Sequence, residues 1–264
     1  MIRVRDLSHV RVERAEFPSA SGTLRGLCYS GGPSITAVVL AHGYSSSKHN
    51  MDGLGFYLAT EGVTALAFDF LGHKLGSSSL PLPTAMDLRT NVLDAVAFAR
   101  TLAGVEHVVA CGHSMGAAAS IGAAVASPNV DGVIAMCTAF GRSQAYSAAS
   151  MAAGLRNRAC YVDGPTPAEL TQAMDGFTTR VAEIAPRPIL IVAASKDAIV
   201  APSAVQTLFD AAGEPKAFEL VEATHTDCAE RAKFVVLRWL RARGFSPPRS
   251  NASESEPLDV AADL

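Results

Sequence analysis

Two hydrophobic patterns alternate along the chain, and their spacing predicts its elements. Residues 10–31 run polar and apolar in turn, punctuated by Gly22 and by Gly31 with Gly32, which predicts a hairpin of two antiparallel strands. Residues 35–40 are continuously apolar instead, as a strand buried on both faces must be. That pattern returns at 63–70, 107–111, 130–140 and 189–194, and a last strand is predicted at 216–221. Helical segments fall between: 51–60, closed by Gly62, then 84–103, 117–125, 203–212 and 227–243. Within 84–103, Met86, Val92, Leu93, Val96, Ala97 and Ala99 keep helical spacing, while Asp87, Arg89, Asp94 and Arg100 take other positions. In the last helix Ala232, Val235, Val236, Trp239 and Leu240 lie on or near one face, which makes Trp239 a core residue. With right-handed crossovers, this alternation gives an α/β fold: a mostly parallel central sheet of about eight strands, helices on both faces, and chemistry in loops at the strands' carboxyl ends.

The rhythm stops in two places. Residues 141–185 are rich in Ala, Ser, Met, Gly and Pro, with two weak helical stretches and the break Asp163, Gly164, Pro165, so they read as a small helical insertion after the sixth strand. The core is then 1–140 together with 186–243. Residues 244–264, with paired prolines, serines and acids and no sustained apolar pattern, are expected to be disordered.

Composition narrows the picture. A chain of 264 residues suffices for one large domain, and 49% hydrophobic with 18% charged residues is ordinary for a globular enzyme. A net charge of −3 gives no electrostatic reason to expect nucleic acid or an anionic membrane, so a small-molecule partner is expected. The amino terminus is charged throughout, without the apolar core of a signal peptide, and no run is long enough to span a bilayer; a cytoplasmic location is the expectation. Cys28, Cys111, Cys137, Cys160 and Cys228 show no C-x-x-C spacing and read as reduced, mostly structural thiols.

The candidate chemistry centres on Gly112, His113, Ser114, Met115 and Gly116, placed between a predicted strand and a predicted Ala/Gly-rich helix. A serine in a sharp strand-to-helix turn adopts a backbone conformation that only small neighbours tolerate, and the two glycines supply them. This G-x-S-x-G in its strand-turn-helix context resembles the nucleophile elbow of the α/β-hydrolases. The resemblance extends over roughly residues 20–243. It implies the α/β-hydrolase fold, with Ser114 as nucleophile and the order serine, acid, histidine along the chain. Asp197, which ends the strand 189–194 and precedes an Ala-Ile-Val-Ala-Pro run, matches the acid, and His225 is the only later histidine. Asp69 precedes the serine and is taken as structural; Asp210 falls within a helix and Asp227 close to the histidine. Ala41, His42, Gly43 and Tyr44 match the loop after the third strand, so the resemblance makes the Tyr44 and Met115 amides the oxyanion donors and His42 a loop brace. The stretch from Asp69 through Gly72 and Gly76 to Ser78 resembles the family's D-x-x-G-x-G-x-S with glycines spaced two residues wider. His73 within it reads as a solvated or rim residue, and the ring of His113 is expected to point away from His225.

The same resemblance places the 141–185 segment as a cap over the site. Tyr146, Met151, Leu155, Met174 and Phe177 could line an acyl pocket or pack the cap onto the body. Arg156 and Arg158 could meet a substrate carboxylate or phosphate, or face solvent. The implied activity is hydrolysis of a carboxylic ester through an acyl-enzyme, with no metal or organic cofactor. An acyl thioester is the near alternative, and a non-hydrolytic relative (acyltransferase, lyase or cyclase) another.

Overall fold

The computed structural model describes residues 7–246 except 79, 147 and 148, and for 146 and 149–152 the backbone alone. The disorder expected from 244 onward does not begin there: Phe245 is buried in a core beside Trp239, because its ring has an apolar place to fill, and residues from 247 onward lie outside those described. Strands β1 (Arg11–Ser19) and β2 (Gly22–Ser30) form the predicted hairpin, and β2 pairs antiparallel with β4 (Thr64–Asp69). The remaining strands run parallel: β3 (Thr36–Ala41), β5 (His107–His113), β6 (Gly132–Met136), β7 (Ile189–Ala194) and β8 (Lys216–Val221). The eight-stranded order is β1-β2-β4-β3-β5-β6-β7-β8.

Burial on both faces explains the continuous apolar runs. Along β3, Ala37, Val39 and Ala41 enter one core, and Val38 and Leu40 the other, as a period of two requires. The first core is closed by α2 (Asp87–Ala99), α3 (Met115–Ala126), α6 (Pro167–Thr178) and α7 (Pro202–Ala211). The second is closed by α1 (Asp52–Thr60), α8 (Cys228–Arg231) and α9 (Lys233–Ala242), with Trp239 buried as expected. The single helix expected over 227–243 is thus two short ones meeting at Ala232. Between β6 and β7 stand α4 (Arg142–Tyr146), α5 (Ala149–Arg158) and α6. A capping box at Thr166 and Glu169 starts α6, and its Leu170, Met174 and Phe177 belong to the first core.

Strand order also locates the site. The chain leaves β3 for β4 on one side and returns to β5 on the other, so the loops after β3 and β5 diverge and open a crevice at the carboxyl ends. Those loops carry Gly43 to Ser46 and Ser114.

Candidate active site

Ser114 follows directly on β5 with φ 54° and ψ −114°, a left-handed conformation rare for a side-chain-bearing residue. Its amide donates to the Met136 carbonyl at 2.8 Å, continuing the β5–β6 ladder into the turn. The flanking glycines are sterically required. A Cβ on Gly116 would fall 2.2 Å from the Ala41 carbonyl oxygen, and one on Gly112 would fall 2.2 Å from the Gly116 carbonyl carbon. Gly43 serves the opposite wall: its Cβ position lies 3.1 Å from His113 Nδ1 and 3.5 Å from Ser114 Cβ, so the β3 loop approaches the serine closely.

Asp197 and His225 come together from the ends of β7 and β8. His225 Nδ1 donates to Asp197 Oδ2 at 2.7 Å, and the Ile199 and Val200 amides both donate to Asp197 Oδ1 at 2.8 Å. Burial pushes the Asp197 carboxyl up, but these hydrogen bonds outweigh it and hold the group below its ordinary range. With Nδ1 committed as donor, neutral His225 keeps Nε2 as an acceptor. Asp227 instead accepts from the Thr224 amide and hydroxyl at 2.6 and 2.5 Å. Asp210 lies on α7, where it accepts from Gln206 at 2.9 Å.

Ser114, Met115, His225, Gly43 and Tyr44 all border one cavity of about 210 Å³, whose lining also includes Leu155, Leu170 and Met174. Phe177, expected in the pocket, lies elsewhere: its ring packs against Gly122 of α3, where an added Cβ would meet it at 2.8 Å. Tyr146 and Met151 fall outside the described side chains. Arg158 borders the cavity and Arg156 does not.

Three histidines occupy buried positions around the crevice. His42 braces its loop as expected: Nδ1 donates to the Gly43 carbonyl at 2.8 Å and Nε2 accepts from the Phe70 amide at 3.2 Å. Burial lowers its pKa to about 4. His73 is not a rim residue. The loop after β4 is zipped to residues 161–163, with the Lys74 amide on the Tyr161 carbonyl and the Asp163 amide on the Gly72 carbonyl, and this buries His73 against His42 and Phe70. Gly72 makes room for that zipper, since a Cβ there would fall 2.3 Å from the Asp163 carbonyl oxygen, and burial lowers the His73 pKa to about 3. The expectation for His113 is also overturned: its ring lies 4.7 Å from that of His225, and Nε2 donates to the His225 carbonyl at 2.6 Å. Period-two alternation on β5 turns His113 to the sheet face opposite Gly112, toward the β8 loop. Its role is to fix the backbone beneath His225, and burial lowers its pKa to about 4.

All five cysteines are free thiols, three of them buried. The side chains of Cys137, His113 and His225 approach within 4.8 Å of one another; two of the three already serve the hydrogen bonds just described. Among the described residues no helix is long and apolar enough to cross a membrane.

Fold, elbow and strand-end placement define an α/β-hydrolase. Residues 32–163 match a family model described as serine aminopeptidase, S33, and the chain belongs to that family of hydrolases. A carboxylesterase of Bacillus subtilis is 31% identical over 101 residues, which span 38% of this chain and 40% of that protein. Among solved structures, a hypothetical protein from Pseudomonas aeruginosa superposes with a TM-score of 0.70 at 17% identity, covering 91% of this chain and 95% of the other. An esterase of Pyrococcus furiosus gives 0.65 at 21%, over 90% and 92%. The esterase domain of a Rhodothermus marinus protein gives 0.66 at 19%, over 88% and 98%. At these identities the structural matches speak for the fold alone.

Proposed function

We propose that the chain is a serine hydrolase that cleaves a carboxylic ester through Ser114, His225 and Asp197. The observation that carries this reading is the 2.7 Å bond from His225 Nδ1 to Asp197, on the wall of a cavity that Ser114 shares. The likeness to a carboxylesterase over 101 residues supports an ester as the bond cut. His225 Nε2 takes the hydroxyl proton as Ser114 Oγ attacks the carbonyl carbon, and Asp197 stabilises the imidazolium that forms. The amides of Tyr44 and Met115 receive the oxyanion. Collapse of the tetrahedral species breaks the ester C–O bond, with the proton passing from His225 to the leaving alkoxide. Water then repeats the sequence on the acyl-enzyme. The 141–185 segment acts as the cap that closes the acyl side of the cavity.

The test follows p-nitrophenyl esters and acyl thioesters of graded length with intact-mass analysis alongside. The parent is expected to release product and to carry a transient acyl adduct, both abolished in Ser114→Ala, whose turnover falls by at least about a thousandfold. Equal release by the two proteins would overturn the assignment. An adduct that persists in water would place the chain with the transferases.

A further inference from the structure

Two arginines, one from each end of the α4–α5 stretch, border the same cavity as Ser114, and no carboxylate is among the described residues that line it. Arg158 is pinned rather than loose: Nε donates to Ser45 Oγ at 2.5 Å and a terminal nitrogen to the Ser45 carbonyl at 3.2 Å. Ser45 in turn donates to the Tyr44 carbonyl at 2.7 Å, so the guanidinium sits on the loop that carries the Tyr44 amide. These contacts occupy two of the five guanidinium donors, and no ion pair joins Arg158 to a carboxylate among the described residues. Arg142 donates to the Ile199 carbonyl at 3.3 Å. Burial pulls its pKa down while Asp197 and Asp175 oppose the shift, and an arginine stays charged under such a pull. Asp175 is itself engaged by the Arg142 and Ser143 amides at 2.7 and 2.9 Å. The apolar residues Leu155, Leu170 and Met174 line the same space.

A methylene chain ending in a carboxylate suits a cavity whose lining holds both Leu155, Leu170 and Met174 and two guanidinium groups: dispersion for the chain and planar forks for the anion. Building on the hydrolase reading, we infer that the preferred acyl group carries a terminal carboxylate, bound by Arg158 and Arg142, so that the substrate is a half-ester of a short dicarboxylic acid.

The matched pair p-nitrophenyl hexanoate and mono-p-nitrophenyl adipate differ only by a carboxylate in place of the terminal methyl. The parent is expected to favour the adipate half-ester in kcat/KM by about ten- to a hundredfold, as charge-assisted hydrogen bonds allow. Arg158→Met and Arg142→Met should each cut that ratio, and the double variant should bring it to one or below; Arg158→Lys should keep a preference. Any loss from disturbing the Ser45 loop strikes both esters alike and cancels in the ratio. In parallel, calorimetry follows monomethyl adipate binding to Ser114→Ala, with at least tenfold weaker binding expected once Arg158→Met is added. A parent that cleaves both esters at a ratio of one or less overturns the inference and leaves the hydrolase reading standing. Binding that depends on Arg158, with neither ester cleaved, upholds the anion site and overturns the hydrolase reading. A ratio untouched by the double variant overturns the arginine assignment.

Discussion

Two aspartates stand at or just past the carboxyl ends of parallel strands, and their surroundings differ. Asp69, at the end of β4, accepts from Lys48 Nζ at 2.6 Å, from the Lys48 amide at 2.8 Å, and from the Ser77 amide and hydroxyl at 2.7 and 2.8 Å. Three of these bonds converge on Oδ2 and one reaches Oδ1, so both carboxylate oxygens are engaged by Lys48 and Ser77. Burial pushes its pKa up, and the bonds from Lys48 and Ser77 more than reverse that. Asp197 is equally enclosed, yet its ionic partner is an imidazole at 2.7 Å. Lys48 offers Asp69 hydrogen bonds alone, whereas an imidazole that donates through Nδ1 has a second ring nitrogen to offer a reacting group. The β4 end is therefore a clamp holding two loops, and in the proposed mechanism the β7 end carries the acid.

The largest effect that separates them is on rate. Asp197→Asn keeps the side-chain shape but reverses the donor at His225 Nδ1, so kcat should fall by about 10⁴-fold with little change in denaturation midpoint. In Asp69→Asn the rate should stay within about tenfold of the parent, since no reacting group touches that carboxylate. Steady-state kinetics on a p-nitrophenyl ester checks both; a larger rate loss in Asp69→Asn than in Asp197→Asn would exchange the two assignments.

The second effect is on stability, and here the order inverts. Asp69→Asn leaves Lys48, only 6% exposed, without its counter-charge, so unfolding free energy should drop by about 3–5 kcal/mol in urea titration. Adding Lys48→Met should restore part of that loss, because an apolar side chain needs no partner. Failure of the double variant to recover any stability would mean that the Ser77 and loop contacts, rather than the ion pair, hold the β4 end.

Much of this contrast was legible in the sequence. The continuous apolar runs located the strands, since burial on both faces leaves no polar alternation. The placement of the Ser114, Asp197 and His225 positions at strand ends followed from the same pattern together with family order. What the pattern could not reach were contacts between segments distant in sequence. Lys48 lies 21 residues from Asp69, and nothing in its neighbourhood marks it as buried. His73 sits among Gly, Lys and Ser, a composition that reads as solvent-exposed, and only its pairing with Val162 encloses it. Arg142 and Arg158 reach one cavity from the two ends of a helical segment whose periodicity is weak. The direction of the His113 ring follows from strand alternation on β5 rather than from its place in the G-x-S-x-G motif. Hydrophobicity alone makes Phe177 a candidate for the acyl pocket, but the missing side chain at Gly122 gives its ring a place on the body.

The smallest effect at neutral pH concerns the histidines that flank the β4 clamp. His42 and His73 have pKa values lowered by burial to about 4 and about 3. An unfolded histidine titrates near 6.5, so between that value and the folded ones the unfolded chain binds more protons. Stability is therefore fully present above about pH 6.5 and is lost as pH falls toward 4, by about 2 kcal/mol per buried histidine between pH 7 and pH 5. His73 is the cleaner probe, because its Nδ1 bonds only the nearby Leu71 carbonyl, at 3.1 Å, and its Nε2 has no partner among the described residues. His73→Phe keeps a ring against His42 and Phe70 and should shrink the difference in unfolding free energy between pH 7 and pH 5 by about 2 kcal/mol. Its value at pH 7 shifts with packing and is not the readout. Urea titrations at the two pH values give the difference directly, and an unchanged difference would mean that His73 titrates in the folded protein as it does in the unfolded chain, contrary to its enclosure by the 161–163 zipper.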